Sequence, residues 1–200
     1  MYTILSIDPG VTNCASCIMT WSPGETPVII HWSLDNISSA PHTTDVFHRD
    51  IDRYITELVA LHPITHVGIE QQPNMAKKMK VIAGNLFSSI ISRIAPEVNV
   101  SYVSAIKFRG FKGTYNDRKK HAIKVVLPLL KAHNLDNGSK QDDLADAYMI
   151  AIGKAKLIMK KIPVGELKLL MQDHMPPGKY KRAELEEAAL LNLWLGLEDS

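Results

Sequence analysis

Five carboxylates occupy positions from which they could hold metal ions. Two of them, Asp8 and Glu70, each end a short apolar run. The other three stand at the start of a helical pattern, at Asp142, Asp143 and Asp146. Carboxylates gathered at one point repel each other and stay ionised together only beside a cation. Oxygen ligands of this kind suit Mg²⁺ or Mn²⁺, and two such ions about 4 Å apart can promote hydrolysis of a phosphodiester.

The elements that carry these acids can bring them together. Asp8 and Glu70 end predicted strands, and parallel neighbouring strands present their final residues at the same edge of a sheet. A helix advances about 100° per residue, so Asp143 and Asp146 lie about 60° apart on its surface. Acids in a first helical turn also suit the helix dipole. That alternative applies to Asp142 and Asp143 but does not explain Asp146, which lies deeper in an apolar segment.

A strongly basic segment follows the predicted strands. Between Lys107 and Lys124 there are seven lysines and arginines against the single acid Asp117, whereas the whole chain has a net charge of only +2. Such a local excess indicates a polyanionic partner. We therefore expect DNA contacts from this segment and from the basic start of a second helix: Lys77, Lys78, Lys107, Arg109, Lys112, Arg118, Lys119 and Lys120.

The periodicity of apolar residues predicts an α/β fold. We expect strands over 2–8, 13–20, 27–35, 65–70 and 98–103. We expect helices between Thr44 and Pro63 and over 75–94, 117–133 and 141–160, with Pro128 as a possible kink or break. This order, βββαβαβα, is typical of the ribonuclease H-like fold, a mixed five-stranded sheet flanked by helices. Residues 1–161 would form this nuclease domain.

Residues 162–200 form a predicted helical C-terminal extension. Prolines divide it into two helical pieces, of which the second spans 182–197 and has one apolar face. Packing of this face on the core is one interpretation, and a dimerisation or partner-binding helix is the other.

Composition restricts the class and compartment of the protein. The apolar fraction is 46%, enough for one well-packed domain. The sequence lacks a run of the roughly 20 apolar residues that a membrane span needs, and Asp8 interrupts any signal-peptide core. Cys14 and Cys17 stand three apart on a predicted strand and would point to opposite faces. We therefore expect reduced structural cysteines in an intracellular protein without a membrane partner.

Segments in four parts of the chain together resemble a known family. Ser6-Ile7-Asp8-Pro9-Gly10, Gly68-Ile69-Glu70-Gln71-Gln72-Pro73 and Asp142-Asp143-Leu144-Ala145-Asp146-Ala147 are similar to the three acidic motifs of RuvC-like Holliday-junction resolvases. The segments Tyr115-Asn116-Asp117-Arg118-Lys119-Lys120 and Lys140-Gln141-Asp142-Asp143 most resemble the poxvirus branch. The resemblance covers about residues 1–160.

The resemblance implies an activity and a set of site residues. The protein would be a Mg²⁺-dependent endonuclease (with Mn²⁺ as substitute) that holds two ions per site and nicks four-way or branched DNA symmetrically. Asp8, Glu70, Asp143 and Asp146 would be the catalytic metal ligands, and Asp142 a helper or a cap. Lys119, with Lys120, would contact phosphate or assist the transition state. The family works as a homodimer, and a viral member would act in the host-cell cytoplasm.

Other functions remain open at this point. Another ribonuclease H-like nuclease, acting on RNA–DNA hybrids or other branched DNA, would carry the same acids. A non-catalytic junction-binding protein is disfavoured because all four acid positions are filled. Asp8-Pro9-Gly10-Val11-Thr12 also resembles the first phosphate loop of actin-like ATPases. Those proteins need two such domains and a longer chain, so we predict no nucleotide cofactor.

Overall fold

The computed structural model describes residues 1–41, 44–104, 114–136, 138, 140–176 and 178–195. These residues form five strands and six helices. The strands are β1 (Tyr2–Asp8), β2 (Cys14–Trp21), β3 (Val28–Asp35), β4 (His66–Glu70) and β5 (Asn99–Val103). The helices are α1 (Asp45–Ala60), α2 (Lys77–Arg93), α3 (Tyr115–Ala132), α4 (Gln141–Met159), α5 (Val164–Leu170) and α6 (Arg182–Leu195).

The strands form one mixed sheet in the order β3-β2-β1-β4-β5. β1 pairs antiparallel with β2 and parallel with β4, and β4 pairs parallel with β5. Ile7 of β1 lies opposite Ile69 of β4, so the two strands run side by side to their final acids. The predicted five-stranded sheet and the order βββαβαβα are confirmed.

Helices cover both faces of the sheet. One apolar cluster joins α1 and α2 to one face, and a second joins α3 and α4 to the other. Cys14 belongs to the first cluster and Cys17 to the second, and both are free thiols. The predicted separation of the two cysteines is confirmed. Burial raises the pKa of the Cys14 thiol to about 12, which disfavours the thiolate.

Helix α4 is the central helix of the fold and approaches the sheet closely. It carries alanines at the contact, and the Ser6 hydroxyl in β1 donates a 2.7 Å hydrogen bond to the carbonyl oxygen of Ala147. A Cβ at Gly68 of β4 would lie 3.3 Å from Ile150 and 3.4 Å from Lys154, both in α4. Small residues on both sides therefore set the short distance between α4 and the strands that end in Asp8 and Glu70.

Helix α3 is continuous through Pro128. The Thr114 hydroxyl accepts from the Asp117 amide, and the Asp117 carboxylate accepts from the Thr114 amide, which forms a capping box. This cap starts the helix at Tyr115, two residues before the predicted start. Of the two alternatives for Pro128, a kink and a break, the break is excluded.

The C-terminal extension packs back on the sheet. Leu167, Leu185 and Ala189 are buried in the same cluster as α4. Arg182 donates hydrogen bonds to the carbonyl oxygens of Met159 and Lys160, at 3.2 and 2.7 Å, and so satisfies the C-terminal end of α4. The predicted packing of the extension on the core is confirmed for the described residues. The domain boundary at residue 161 stays a prediction. Among the described helices, none is long and apolar enough to cross a membrane.

Candidate active site

The end of β1 places Asp8 above a tight turn. Pro9 and Gly10 follow it directly, and a Cβ at Gly10 would lie only 2.0 Å from the carbonyl oxygen of Asn13. Only glycine permits this close approach of two backbone segments. The turn thus returns the chain into β2 while it leaves the Asp8 side chain at the sheet edge, next to the parallel strand that ends in Glu70.

Helix α4 brings its acids to the same edge. The Trp32 indole in β3 donates a 3.1 Å hydrogen bond to the carbonyl oxygen of Leu144, which fixes the first turn of α4 against the sheet. Asp146, two residues further on, is buried and retains only 6% of its surface exposure. A buried carboxylate is costly without a compensating partner. The start of α4 is therefore held against the sheet, and Asp146 is buried in its second turn.

One cavity of about 760 Å³ contains the predicted catalytic residues. Its lining includes all of them: Asp8, Glu70, Asp143, Asp146 and Lys119. The turn after β1 and the segment after β4 form its other walls, with Lys78 at its border. The sequence prediction that distant carboxylates converge on one point agrees with this placement. Their roles in catalysis and metal binding remain proposals.

The carboxylates in this cavity strongly affect each other. Burial, then Glu70, then Asp146 and Asp143 raise the pKa of Asp8 well above its usual value. Burial and the neighbouring Asp142 raise the pKa of Asp143 as well, with a further contribution from Glu70. The physical cause is that negative charges crowd together in a poorly solvated place. A cation in the cavity would offset the cost of ionising both Asp8 and Asp143.

The donor set fits divalent metal ions that prefer oxygen ligands. Four carboxylates line one cavity, and they offer the hard oxygen atoms that Mg²⁺ and Mn²⁺ bind. Within the described residues, no three acidic, histidine or cysteine side chains already stand as a metal-binding group. The raised pKa values of Asp8 and Asp143, each caused by burial and by neighbouring carboxylates, favour a cation here.

Lys119 connects α3 to the first turn of α4. Its ammonium group donates a 2.5 Å hydrogen bond to Oδ2 of Asp142, and both side chains are about a quarter exposed. Burial alone would raise the pKa of Asp142, but the hydrogen bond and charge of Lys119 outweigh it and lower this pKa. Asp142 therefore holds the lysine at the cavity, a contact that the sequence did not reveal.

Gln72 belongs to the site, but the sequence analysis assigned it no role. Its amide nitrogen donates a 2.8 Å hydrogen bond to Oε2 of Glu70, and its side chain lines the cavity. The bond restrains one carboxylate oxygen of Glu70. In the sequence, only its position indicates this role, because Gln72 comes two residues after the strand-end acid Glu70.

The structure locates only part of the predicted DNA-binding set. Lys77 and Lys120 are exposed, and Lys78 borders the cavity. Arg118 lies in the first turn of α3. The other three predicted contacts fall outside the described residues, at Lys107, Arg109 and Lys112.

Solved structures with a similar architecture define the class of fold. RuvC of T. thermophilus in complex with a Holliday junction substrate matches with a TM-score of 0.55 and 14% identity, over 78% of this chain and 93% of that chain. Fowlpox virus resolvase, solved with substrate Holliday junction DNA, matches with a TM-score of 0.53 and 19% identity, over 78% and 98%. The yeast mitochondrial resolvase Ydc2 matches with a TM-score of 0.52 and 19% identity, over 75% and 77%. The fold is RuvC-like and belongs to the ribonuclease H-like class.

Sequence comparison identifies the family. The family model described as Poxvirus A22 protein matches residues 2–159, so the chain belongs to that family. No curated protein matches the sequence. The family is the poxvirus branch of the RuvC-like resolvases, and the chain is a Holliday-junction-resolving endonuclease of that branch. The predicted family and enzyme class are confirmed.

Proposed function

We propose that the chain resolves four-way DNA junctions by paired symmetric nicks in a reaction that uses two Mg²⁺ ions, with Mn²⁺ as a substitute. The observation that carries the proposal is the burial of Asp8 beside Glu70, Asp143 and Asp146 in one cavity. Endonucleases of the RuvC-like class depend on metal ions. Asp8, Glu70, Asp143 and Asp146 would hold the ions.

Each protein group has a distinct part in this reaction. The bound ions would supply an activated water and stabilise the leaving oxygen, which yields 5′-phosphate and 3′-hydroxyl ends. Gln72 restrains Glu70 through its hydrogen bond. Lys119, held at the cavity by Asp142, would contact the phosphate and stabilise the charge that develops on it.

Four-way and other branched DNA is the proposed substrate class. The T. thermophilus and fowlpox neighbours were solved with Holliday junction DNA. A carboxylate cavity would repel DNA by itself, and bound metal ions together with neighbouring lysines reverse this locally. Since the family is a poxvirus family, we expect the reaction to take place in the host-cell cytoplasm.

The proposed active unit is a homodimer. A four-way junction has two-fold symmetry, and a symmetric pair of nicks needs two sites at a fixed separation. Helix α2 offers a surface for this contact, because Val81 and Ile91 on it are 49% and 54% exposed. A Cβ at Gly84, between them, would meet nothing within 4 Å. Sedimentation of the protein with and without a junction measures the oligomeric state.

The test of the proposed function compares substrates of equal length and sequence. An immobile four-way junction, a linear duplex and an RNA–DNA hybrid are incubated with the protein and either Mg²⁺ or EDTA. We expect paired nicks in the junction alone, and only with Mg²⁺. Cleavage of the hybrid at a comparable rate would favour the other ribonuclease H-like function instead.

Replacement of Lys119 and Lys120 by glutamine should weaken junction binding and reduce its salt dependence. Each phosphate contact that a cation makes contributes about 0.9 to the slope of log K against log salt. Loss of two contacts is therefore expected to reduce the slope by about 2. Junction affinity measured across a series of salt concentrations reports this slope.

The matched control for this pair is Lys131→Gln, an exposed lysine at the far end of the same helix. We expect it to leave the slope almost unchanged. An equal slope for the Lys119/Lys120 variant and the wild type would remove both lysines from the DNA interface.

A further inference from the structure

A second, smaller cavity adjoins the catalytic one. It has a volume of about 260 Å³ and is lined by Gln71, Gln72, Asn74, Lys80, Ala83 and Tyr102. Gln71 and Gln72 line both cavities. The two cavities therefore share the segment that follows Glu70 as a wall, and a group in the smaller one would lie beside the catalytic cavity.

Tyr102 gives this cavity an aromatic wall. Its ring stacks on Phe87 of α2, with ring centroids 5.1 Å apart and an interplanar angle of 16°. Phe87 thus supports one face of the tyrosine ring, and 44% of Tyr102 is exposed. An exposed aromatic ring that is supported from behind is a platform on which another planar ring can stack.

The remaining walls offer directed hydrogen-bonding groups. Lys80 donates a 2.6 Å hydrogen bond to Oδ1 of Asn74. The amide nitrogen of Asn74 can therefore donate a hydrogen bond to a ligand. The amide nitrogen of Gln72 donates a hydrogen bond to Glu70. The amide oxygen of Gln72 can therefore accept a hydrogen bond from a ligand. A donor and an acceptor beside an aromatic platform match the edge and face of a nucleobase.

We propose that this smaller cavity binds one unstacked nucleobase of the junction, next to the cleaved phosphate, and that it sets the sequence preference of cleavage. The inference rests on the proposed junction-cutting function. Bases at a branch point can leave the helical stack, and proteins bind unstacked bases by aromatic stacking and by hydrogen bonds to their edges. Tyr102 supplies the stacking, and Asn74 and Gln72 read the edge.

The first experiment follows the base directly. A junction carries the fluorescent base 2-aminopurine at one position near the branch point, in turn for each position, and binds the protein in Ca²⁺ so that it is not cut. We expect stacking on Tyr102 to quench the fluorescence at one position with the wild type and with Tyr102→Phe, but not with Tyr102→Ala. The control Val28→Ala changes an exposed residue on the opposite edge strand and should behave as the wild type.

The second experiment measures the preference itself. A panel of junctions varies the base at the quenched position, and cleavage rates are measured for each protein. We expect Tyr102→Ala to lose about tenfold on the preferred base and to cut the whole panel at nearly equal rates. Asn74→Ala should retain the fluorescence quenching but flatten the preference.

Three outcomes would overturn the proposal. Unchanged selectivity in Tyr102→Ala would show that the cavity does not read a base. Equal quenching in Tyr102→Ala would place the stacking elsewhere. Loss of the dimer in Tyr102→Ala, with selectivity retained, would make Tyr102 a protein contact. A wild-type protein that cuts none of the junctions would instead contradict the proposed function.

Discussion

Asp8→Asn is expected to bind a four-way junction with wild-type affinity and to cut it about 10²–10³-fold more slowly, the loss typical of removing one charge-stabilising group from an active site. Asp8 is a buried carboxylate surrounded by Glu70, Asp146 and Asp143. Asparagine keeps the shape of the aspartate side chain but removes the charge that would hold a metal ion. Gel-shift binding in Ca²⁺ and single-turnover cleavage in Mg²⁺ measure the two properties separately.

The same variant should be more stable than the wild type when metal is absent. Burial and the neighbouring acids raise the folded-state pKa of Asp8 above the ordinary value of 3.8. The folded wild type therefore binds a proton more tightly than the unfolded chain and loses stability as the pH rises from 3.8 through the raised pKa. Asparagine cannot ionise, so this loss should be absent. Mg²⁺ should then stabilise the wild type more than Asp8→Asn.

The matched control for Asp8 is Asp173→Asn, which changes an exposed aspartate in the C-terminal extension. It should cleave at the wild-type rate and show the wild-type gain in melting temperature with Mg²⁺. If Asp8→Asn also cleaves at the wild-type rate, or gains as much stability from Mg²⁺ as the wild type, Asp8 is not a metal ligand.

The sequence predicted the parts of the site that depend on where elements end. Asp8 and Glu70 end strands, and the rule that parallel strands meet at one edge was enough to bring them together. The helical spacing of Asp143 and Asp146 then placed them on adjacent parts of one surface. The structure agrees because these inferences need only the order of elements and the period of each.

The contacts between side chains of different elements could not be predicted in this way. Asp142 was explained by the helix dipole or as a helper, whereas it pairs with Lys119, 23 residues away. Gln72 bonds Glu70 through a side-chain orientation that periodicity does not encode. Pro128 was a candidate for a kink or a break, but α3 continues past it, and Val126 and Leu130 on either side of it are buried in the core. These features depend on rotamers and packing distances that only the folded chain fixes.

Lys154 is the clearest example of such a feature, and its replacement should change the pH dependence of stability. The side chain is only 1% exposed. Its ammonium group donates to the backbone oxygen and Oδ1 of Asn99, at 2.9 and 2.7 Å, and to the Ser101 hydroxyl at 2.7 Å. All these partners are uncharged. Burial, with a contribution from Lys161, therefore lowers the pKa of Lys154 to about 8.

This lowered pKa determines the sign of the effect. Between pH 8 and 10.5 the unfolded chain holds the Lys154 proton and the folded chain does not, so stability from this group rises with pH in that window. One pKa unit corresponds to about 1.4 kcal/mol, and the full gain is therefore about 3 kcal/mol. Lys154→Met has no proton to lose. The wild type should gain about 2–3 kcal/mol relative to this variant between pH 7 and 10.

Urea unfolding of both proteins across this pH range measures the difference. The buried cysteines and tyrosines titrate in both proteins, so their contribution cancels in the comparison. His66 gives an independent check, because burial and the charges of Lys154 and Lys161 lower its pKa to about 4, and removal of Lys154 should raise it. The exposed Lys160→Met is the control. A constant stability difference between wild type and Lys154→Met from pH 7 to 10 would show that the buried ammonium group keeps its ordinary pKa, so that its three uncharged acceptors fully replace water.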